Sequence, residues 1–349
     1  MKINKLHISS EFRFESGESL PELDLIYHTS EREYRKGDKV LWICHALTGN
    51  SDPEDWWPQM VGDGLLFDST RYFIVCVNML CSPYGSSGPA SIDPRTGKPY
   101  LMSFPQTTVR DIVNANILVR KFLGIDKIDL MVGPSIGGFQ ALEWVIMEPD
   151  VVKEVVFLAT ATKVTPFMTA LNESQRMALL ADQSFTAAES LEGGRKGLAC
   201  ARSIALISYR TFDGYNLTQS EEDDNCLFAD RAASYQRYQG KKLVNRFDAY
   251  SYWYLTRTLD SQNVGRGRGG VVKALSEIKA RCLVISIDSD MLFPPKHGKA
   301  TVAALGNAEY RELSSLFGHD GFLIEKESLC HLLRPVVERA LNDKQASEI

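Results

Sequence analysis

The sequence predicts an α/β fold, a mostly parallel, doubly wound sheet with an inserted helical cap. Three observations carry that expectation. Short apolar runs of strand length alternate with stretches of helical periodicity, the pattern of βαβ units. Between residues 165 and 278 the alternation stops, and helical segments follow one another with no strand between them. At Gly133-Pro134-Ser135-Ile136-Gly137 a serine between glycines sits at a strand-to-helix turn, the signature of a nucleophile elbow.

Taken in order, FRFES (12–16) and LDLIYH (23–28) alternate apolar and polar residues, as antiparallel edge strands do. Lys39–Leu47 and Tyr72–Met79 are continuous apolar runs suited to a sheet buried on both faces. The second is followed by a Ser-, Pro- and Gly-rich loop through Pro99. Val109–Leu123 reads as a helix with Val109, Ile112, Val113, Ile117 and Phe122 on one face and Gly124 ending it. Ile128–Val132 is the elbow strand, and its helix runs from Gly138 to Glu148, where Pro149 stops it. Val155–Ala159 is a further strand, and Cys282–Ile287 is the last clear one. The α/β pattern resumes after the helical block, which favours an insertion over a separate domain. The expected division is core 1–164, cap 165–278 and core 279–349.

The 349 residues, 44% hydrophobic, suffice for one large core. A net charge of -5 gives no basic field for nucleic acid. No apolar segment follows Lys2 and Lys5 as in a signal peptide, and no stretch is long enough to span a bilayer. Seven scattered cysteines without a C-x-x-C pair point to a reduced, cytoplasmic enzyme without a metal site. Glu221-Glu222-Asp223-Asp224 reads as a solvated loop. Gly265-Arg266-Gly267-Arg268-Gly269-Gly270 has the G-x-G-x-x-G spacing, but TRTLDSQNV before it is no buried strand, so a dinucleotide fingerprint is rejected. Arg266 and Arg268 stay as candidates for coenzyme phosphates.

A serine hydroxyl needs a base, and the base needs a carboxylate to orient it. Behind an elbow the chain order is Ser, Asp or Glu, then His. Of the three histidines downstream, His297 begins a helix and His331 lies within one, whereas His319 sits in the glycine-flanked turn LFGHDGF. His319 is the expected base. Asp288 and Asp290 follow the last clear strand; Asp290, one residue into the turn, is assigned to His319 and Asp288 to support. The oxyanion takes one backbone N–H from Ile136 and one from Leu47, in the loop His45–Gly49. His45 is read as shaping that loop.

At these residues the sequence resembles the homoserine O-acetyltransferase family of α/β-hydrolase-fold enzymes. The matching stretches include HALTGN (45–50), YGSSGPASIDPRTGKPY (84–100), NESQR (172–176), GLACARSIALISYR (197–210), DSDMLFPP (288–295) and GHDGFL (318–323), spread over almost the whole chain. Where the family usually has Gly-Gly-Ser-Met-Gly-Gly-Met-Gln, this chain carries Pro134, Ile136 and Phe139. The resemblance implies acetyl transfer from acetyl-CoA, a co-substrate rather than a bound cofactor, to the hydroxyl of L-homoserine through an acyl-Ser135. It implies that Arg202 grips the substrate carboxylate, with Arg210 as runner-up, and that Asp320 grips its ammonium. It also implies a homodimer paired through the cap helices. Relatives that use succinyl-CoA or serine, and an esterase or thioesterase with water as acceptor, are the alternatives. A catalytically inert binding protein is the reading from another class.

Overall fold

The computed structural model describes residues 1–187 and 190–343. Eight strands form one sheet: β1 (Lys2–Ile8), β2 (Leu23–Thr29), β3 (Val40–Ile43), β4 (Phe73–Val77), β5 (Ile128–Pro134), β6 (Val152–Leu158), β7 (Arg281–Ile287) and β8 (Ala308–Leu313). Their spatial order is β1-β2-β4-β3-β5-β6-β7-β8. The first three neighbours pair antiparallel, and every pair from β4 to β8 is parallel. The inner parallel strands are apolar because helices cover both faces of the sheet; β3, β4 and β5 are buried along their whole length.

The edges depart from the sequence reading. LDLIYH belongs to β2, which pairs on both sides and is not an edge. The edge strand is β1, a run mostly exposed to solvent. At the other edge β8 (AEYREL) is also largely polar. Charged edge strands resist pairing with other chains and for the same reason lack the apolar signal by which strands are read. FRFES contributes only Phe12–Arg13 to a two-residue hairpin with Ser19–Leu20, outside the main sheet. Its Phe12 and Phe14 are nonetheless core residues, packed edge to face at 5.1 Å.

Helix Val109–Phe122 begins with a capping box, Thr108 and Asp111 satisfying each other's backbone N–H. It ends before Gly124, which takes φ +68°. Phe122 does not share the buried face and is 61% exposed. Thirteen residues from Val109 at 100° each place it well round the helix. Helix Ile136–Met147, buried on nearly every side, is clamped to the sheet by Trp144, whose ring meets Trp42 edge to face at 4.9 Å. Such a pair contributes about 1 kcal/mol beyond its buried area.

Between β6 and β7, neighbours in the sheet, the described residues make seven helices in succession from Pro166 to Ser276. The acidic run 221–224 lies there in an exposed loop, where Glu221 accepts from the Asp230 and Arg231 amides. Among the described residues no helix is long and apolar enough to cross a membrane. All seven cysteines are free.

Candidate active site

The turn between β5 and helix Ile136–Met147 forces Ser135 to φ 57°, ψ -122°, a region that side chains other than glycine's enter only when their surroundings over-determine it. Those surroundings are three glycines. A Cβ on Gly133 would stand 2.2 Å from the Gly137 carbonyl oxygen, one on Gly137 2.0 Å from the Cys44 oxygen, and one on Gly138 2.6 Å from Thr160. No side chain fits at any of them, so strand, turn and helix close directly on one another. The Ser135 amide donates to the Leu158 carbonyl at 2.9 Å, and its own carbonyl accepts from Thr160 Oγ1 at 2.9 Å. Its hydroxyl caps nothing on the helix. It is left for a partner.

That partner is His319, 184 residues on, whose Nε2 lies 2.9 Å from Ser135 Oγ. On the other side of the ring, Nδ1 lies 2.7 Å from Asp290 Oδ2. A carboxylate only accepts, so Nδ1 carries the proton and Nε2 is left to accept from the serine. Asp290 is held in turn: its Oδ1 accepts from the amides of Leu292 at 2.8 Å and Phe293 at 3.1 Å. All three side chains are buried. Phe293, Phe322 and Tyr209 pack around the imidazole at centroid distances of 5.3, 5.5 and 5.8 Å. Burial pulls the His319 pKa down, but the charge and hydrogen bond of Asp290 and the charge of Asp320 outweigh it, leaving it above the ordinary 6.5. Asp288 takes the supporting place expected of it, accepting from the Ser315 amide at 3.0 Å and Ser314 Oγ at 2.7 Å. It ties the end of β7 to the loop leading to His319. His297 and His331 lie in helices Pro295–Ala304 and Lys326–Asn342.

Ser135 and His319 open onto a small cavity that Leu47, Asn172, Tyr209 and Leu292 also line. Ile136 is the first residue of its helix, where the backbone N–H has no intrahelical acceptor. Leu47 reaches the same cavity from the loop after β3. His45 shapes that loop: Nδ1 lies 2.9 Å from the Ala46 carbonyl oxygen and Nε2 accepts from the Met79 amide at 3.1 Å. Burial lowers its pKa to about 4, the bond to Ala46 offsetting only part of the effect, so it is a neutral strut.

This has a consequence for stability. The folded value lies below the unfolded one, so the unfolded chain takes up the proton first. The His45 contribution is therefore whole above pH 6.5 and is lost as pH falls toward 4, by about 1.4 kcal/mol per unit. Between pH 7.5 and 5 the unfolding free energy of a His45→Gln variant should fall about 2 kcal/mol less than the parent's. Equal losses in urea titrations at the two pH values would refute this.

The two residues expected to grip the substrate, Arg202 and Asp320, are not paired with each other. Arg202 lies with its guanidinium 5.5 Å from the Tyr209 ring centroid and, among the described residues, has no ion pair or hydrogen bond. Asp320 instead faces Arg210, with Arg210 Nε 2.7 Å from its Oδ2. Arg202, Asp320 and His319 thus surround Tyr209, which lines the cavity. Nothing in the spacing of the sequence signals the Arg210–Asp320 pair or the place of Asn172 in the cavity.

Arg266 and Arg268 are not available for phosphates. Arg266 binds Glu15 through both terminal nitrogens, at 2.6 and 2.9 Å, and Arg268 lies 2.7 Å from buried Glu143. The glycines around them serve the turn, with Gly267, Gly269 and Gly270 all at positive φ. Among the described residues no three His, Cys, Asp or Glu side chains converge as a metal site would.

Comparison with known proteins identifies the fold and the family. Residues 39–326 match the alpha/beta hydrolase fold family. The chain is 42% identical over 324 residues to a protein of Cyclobacterium marinum named homoserine O-acetyltransferase, covering 92% of this chain and 91% of the relative. A protein of the same name from Carboxydothermus hydrogenoformans is 41% identical over 352 residues, covering 94% and 93%. The crystal structure of homoserine O-acetyltransferase from Bacillus anthracis superposes with a TM-score of 0.88 over 98% of both chains; at 24% identity that is a likeness of fold.

Proposed function

The chain belongs to the homoserine O-acetyltransferase family of α/β-hydrolase-fold enzymes, and from that membership we propose that it moves the acetyl group of acetyl-CoA to the hydroxyl of L-homoserine. The observation that carries the mechanism is the continuous relay Ser135 Oγ–His319 Nε2, His319 Nδ1–Asp290 Oδ2, at 2.9 and 2.7 Å.

In the first half, Ser135 Oγ attacks the thioester carbonyl while His319 Nε2 takes its proton. The Leu47 and Ile136 amides stabilise the oxyanion. The C–S bond breaks, coenzyme A leaves with the proton from His319, and an acetyl-Ser135 ester remains. In the second half, His319 takes the homoserine hydroxyl proton, the alkoxide attacks the ester, and O-acetylhomoserine departs as Ser135 regains its proton. Arg202, without an acid partner among the described residues, suits the substrate carboxylate, and Asp320 its ammonium. The helical segment 165–278 acts as a cap over the cavity; Asn172 and Tyr209, two of its residues, line it. A covered cavity favours the amino-acid hydroxyl over water. The product is suited to methionine biosynthesis in the cytoplasm, a reducing compartment that fits seven free cysteines.

Release of coenzyme A from acetyl-CoA tests the reading: sustained turnover must require homoserine. Sustained release that ignores homoserine identifies a thioesterase. Mass spectrometry of products from homoserine and serine mixed with acetyl- and succinyl-CoA decides the donor and the acceptor; O-acetylhomoserine must dominate.

The cap also supports pairing of two copies. Phe212, Leu217, Leu227 and Phe228 are all at least two-thirds exposed, an apolar surface that a second subunit would cover. Light scattering should give twice the 39.1 kDa of the chain; a monomer at micromolar concentration rejects the dimer.

A further inference from the structure

The junction between helices Arg195–Tyr209 and Phe212–Gln219 rests directly on the turn that carries His319. Thr211 Oγ1 donates to the Leu316 carbonyl. A Cβ on Gly214 would stand 2.7 Å from that same oxygen, and one on Gly318 2.9 Å from the Tyr209 carbonyl. Backbone therefore meets backbone, with no slack between cap and histidine turn. Across this contact Arg210 Nε lies 2.7 Å from Asp320 Oδ2, and the side chains are only 22% and 15% exposed. The Nε–H bond does not point along the line of contact, so charge rather than a directed hydrogen bond holds the pair. The guanidinium is also seated 5.8 Å from the Phe317 ring centroid. Among the described residues the second oxygen of Asp320 accepts no hydrogen bond.

We propose that Arg210 is a positioning residue for the acceptor: it holds one carboxylate oxygen of Asp320 and so presents the other to the substrate ammonium. The proposal rests on reading Asp320 as the ammonium site. An aspartate next to the base has a competing cation in the imidazolium that forms on His319 during each half-reaction. Its charge already bears on that ring. A carboxylate free to turn toward His319 would rival Asp290 and leave the ammonium unpaired. Anchoring one oxygen on a fixed cation removes that alternative and the rotamer freedom lost on binding. Arginine suits the task because its charge is permanent and its plane can lie on an aromatic ring.

The test compares acetyl transfer to homoserine with transfer to 4-hydroxybutyrate, the same alcohol and carboxylate without the ammonium. The ratio of the two kcat/KM values reads ammonium recognition and is unaffected by the fraction of enzyme that folds. The parent should prefer homoserine by about a hundredfold, the range of a charged hydrogen-bonded contact. Arg210→Met should cut that preference by about tenfold, Arg210→Lys should restore most of it, and KM for acetyl-CoA should move much less than KM for homoserine. Should Arg210→Met yield no folded protein, Arg210→Gln carries the same comparison. An unchanged preference in the charge-removing variant overturns the role of Arg210. Asp320→Asn separates the two levels: if it keeps the parent's preference, the ammonium site itself is misplaced and both readings fall. If Asp320→Asn loses the preference while Arg210→Met retains it, only the positioning role fails.

Discussion

Ser135→Ala should lower kcat by about 10⁶-fold, the loss typical when the nucleophile of such a relay is removed. It should also leave no acetylated protein detectable by intact mass spectrometry after mixing with acetyl-CoA. The loss is one of chemistry. Alanine keeps the Cβ that serine already places at φ 57°, and the close contacts of Gly133, Gly137 and Gly138 are untouched. The hydrogen bond from the residue 135 amide to the Leu158 carbonyl and the one its carbonyl accepts from Thr160 Oγ1 persist as well. The variant should therefore melt with the parent. Activity within a hundredfold of the parent's would remove Ser135 from the mechanism.

Asp290→Asn should cost about 10⁴-fold in kcat. The asparagine can keep its carbonyl on the Leu292 and Phe293 amides, which Asp290 Oδ1 now receives. Its NH₂ then faces His319 Nδ1 and makes that nitrogen an acceptor. The proton moves to Nε2, where Ser135 Oγ needs one to be absent. The pH dependence carries the same information. The free enzyme needs neutral His319, so kcat/KM falls as pH drops through the His319 pKa, which Asp290 and Asp320 hold above 6.5 despite burial. The acid limb of the parent should have its midpoint above 6.5. In Asp290→Asn the largest opposing charge is gone and burial prevails, so any residual activity should have its midpoint lower. A limb that does not move places another group in control of it.

The triad was legible in the sequence because each member sits where a local rule applies. A glycine-flanked serine turns a strand into a helix, an aspartate follows a strand end, and a histidine stands between glycines near the C-terminus. Legibility failed where the signal is relational. Nothing near Arg210 announces an aspartate 110 residues away, and the arginines of the Gly265–Gly270 loop looked free until Glu15 and Glu143 were beside them. The edge strands β1 and β8 were missed because solvent on one side removes the apolar run that marks a strand. Phe122 was misplaced by counting periodicity one turn too far.

The glycine cradle also limits where this segment can vary. Positions 133, 137 and 138 admit no side chain, and position 135 is fixed by its chemistry. Within the turn, a change of side chain is therefore sterically open only at 134, 136 and 139. Two of them are wired to the reacting groups. Ile136 follows Ser135 and opens its helix, and the Phe139 ring meets Phe293 at 5.7 Å, which meets His319 at 5.3 Å. A change at 139 thus reaches the base through Phe293, so the elbow offers a narrow corridor along which the site can be retuned without dismantling the turn.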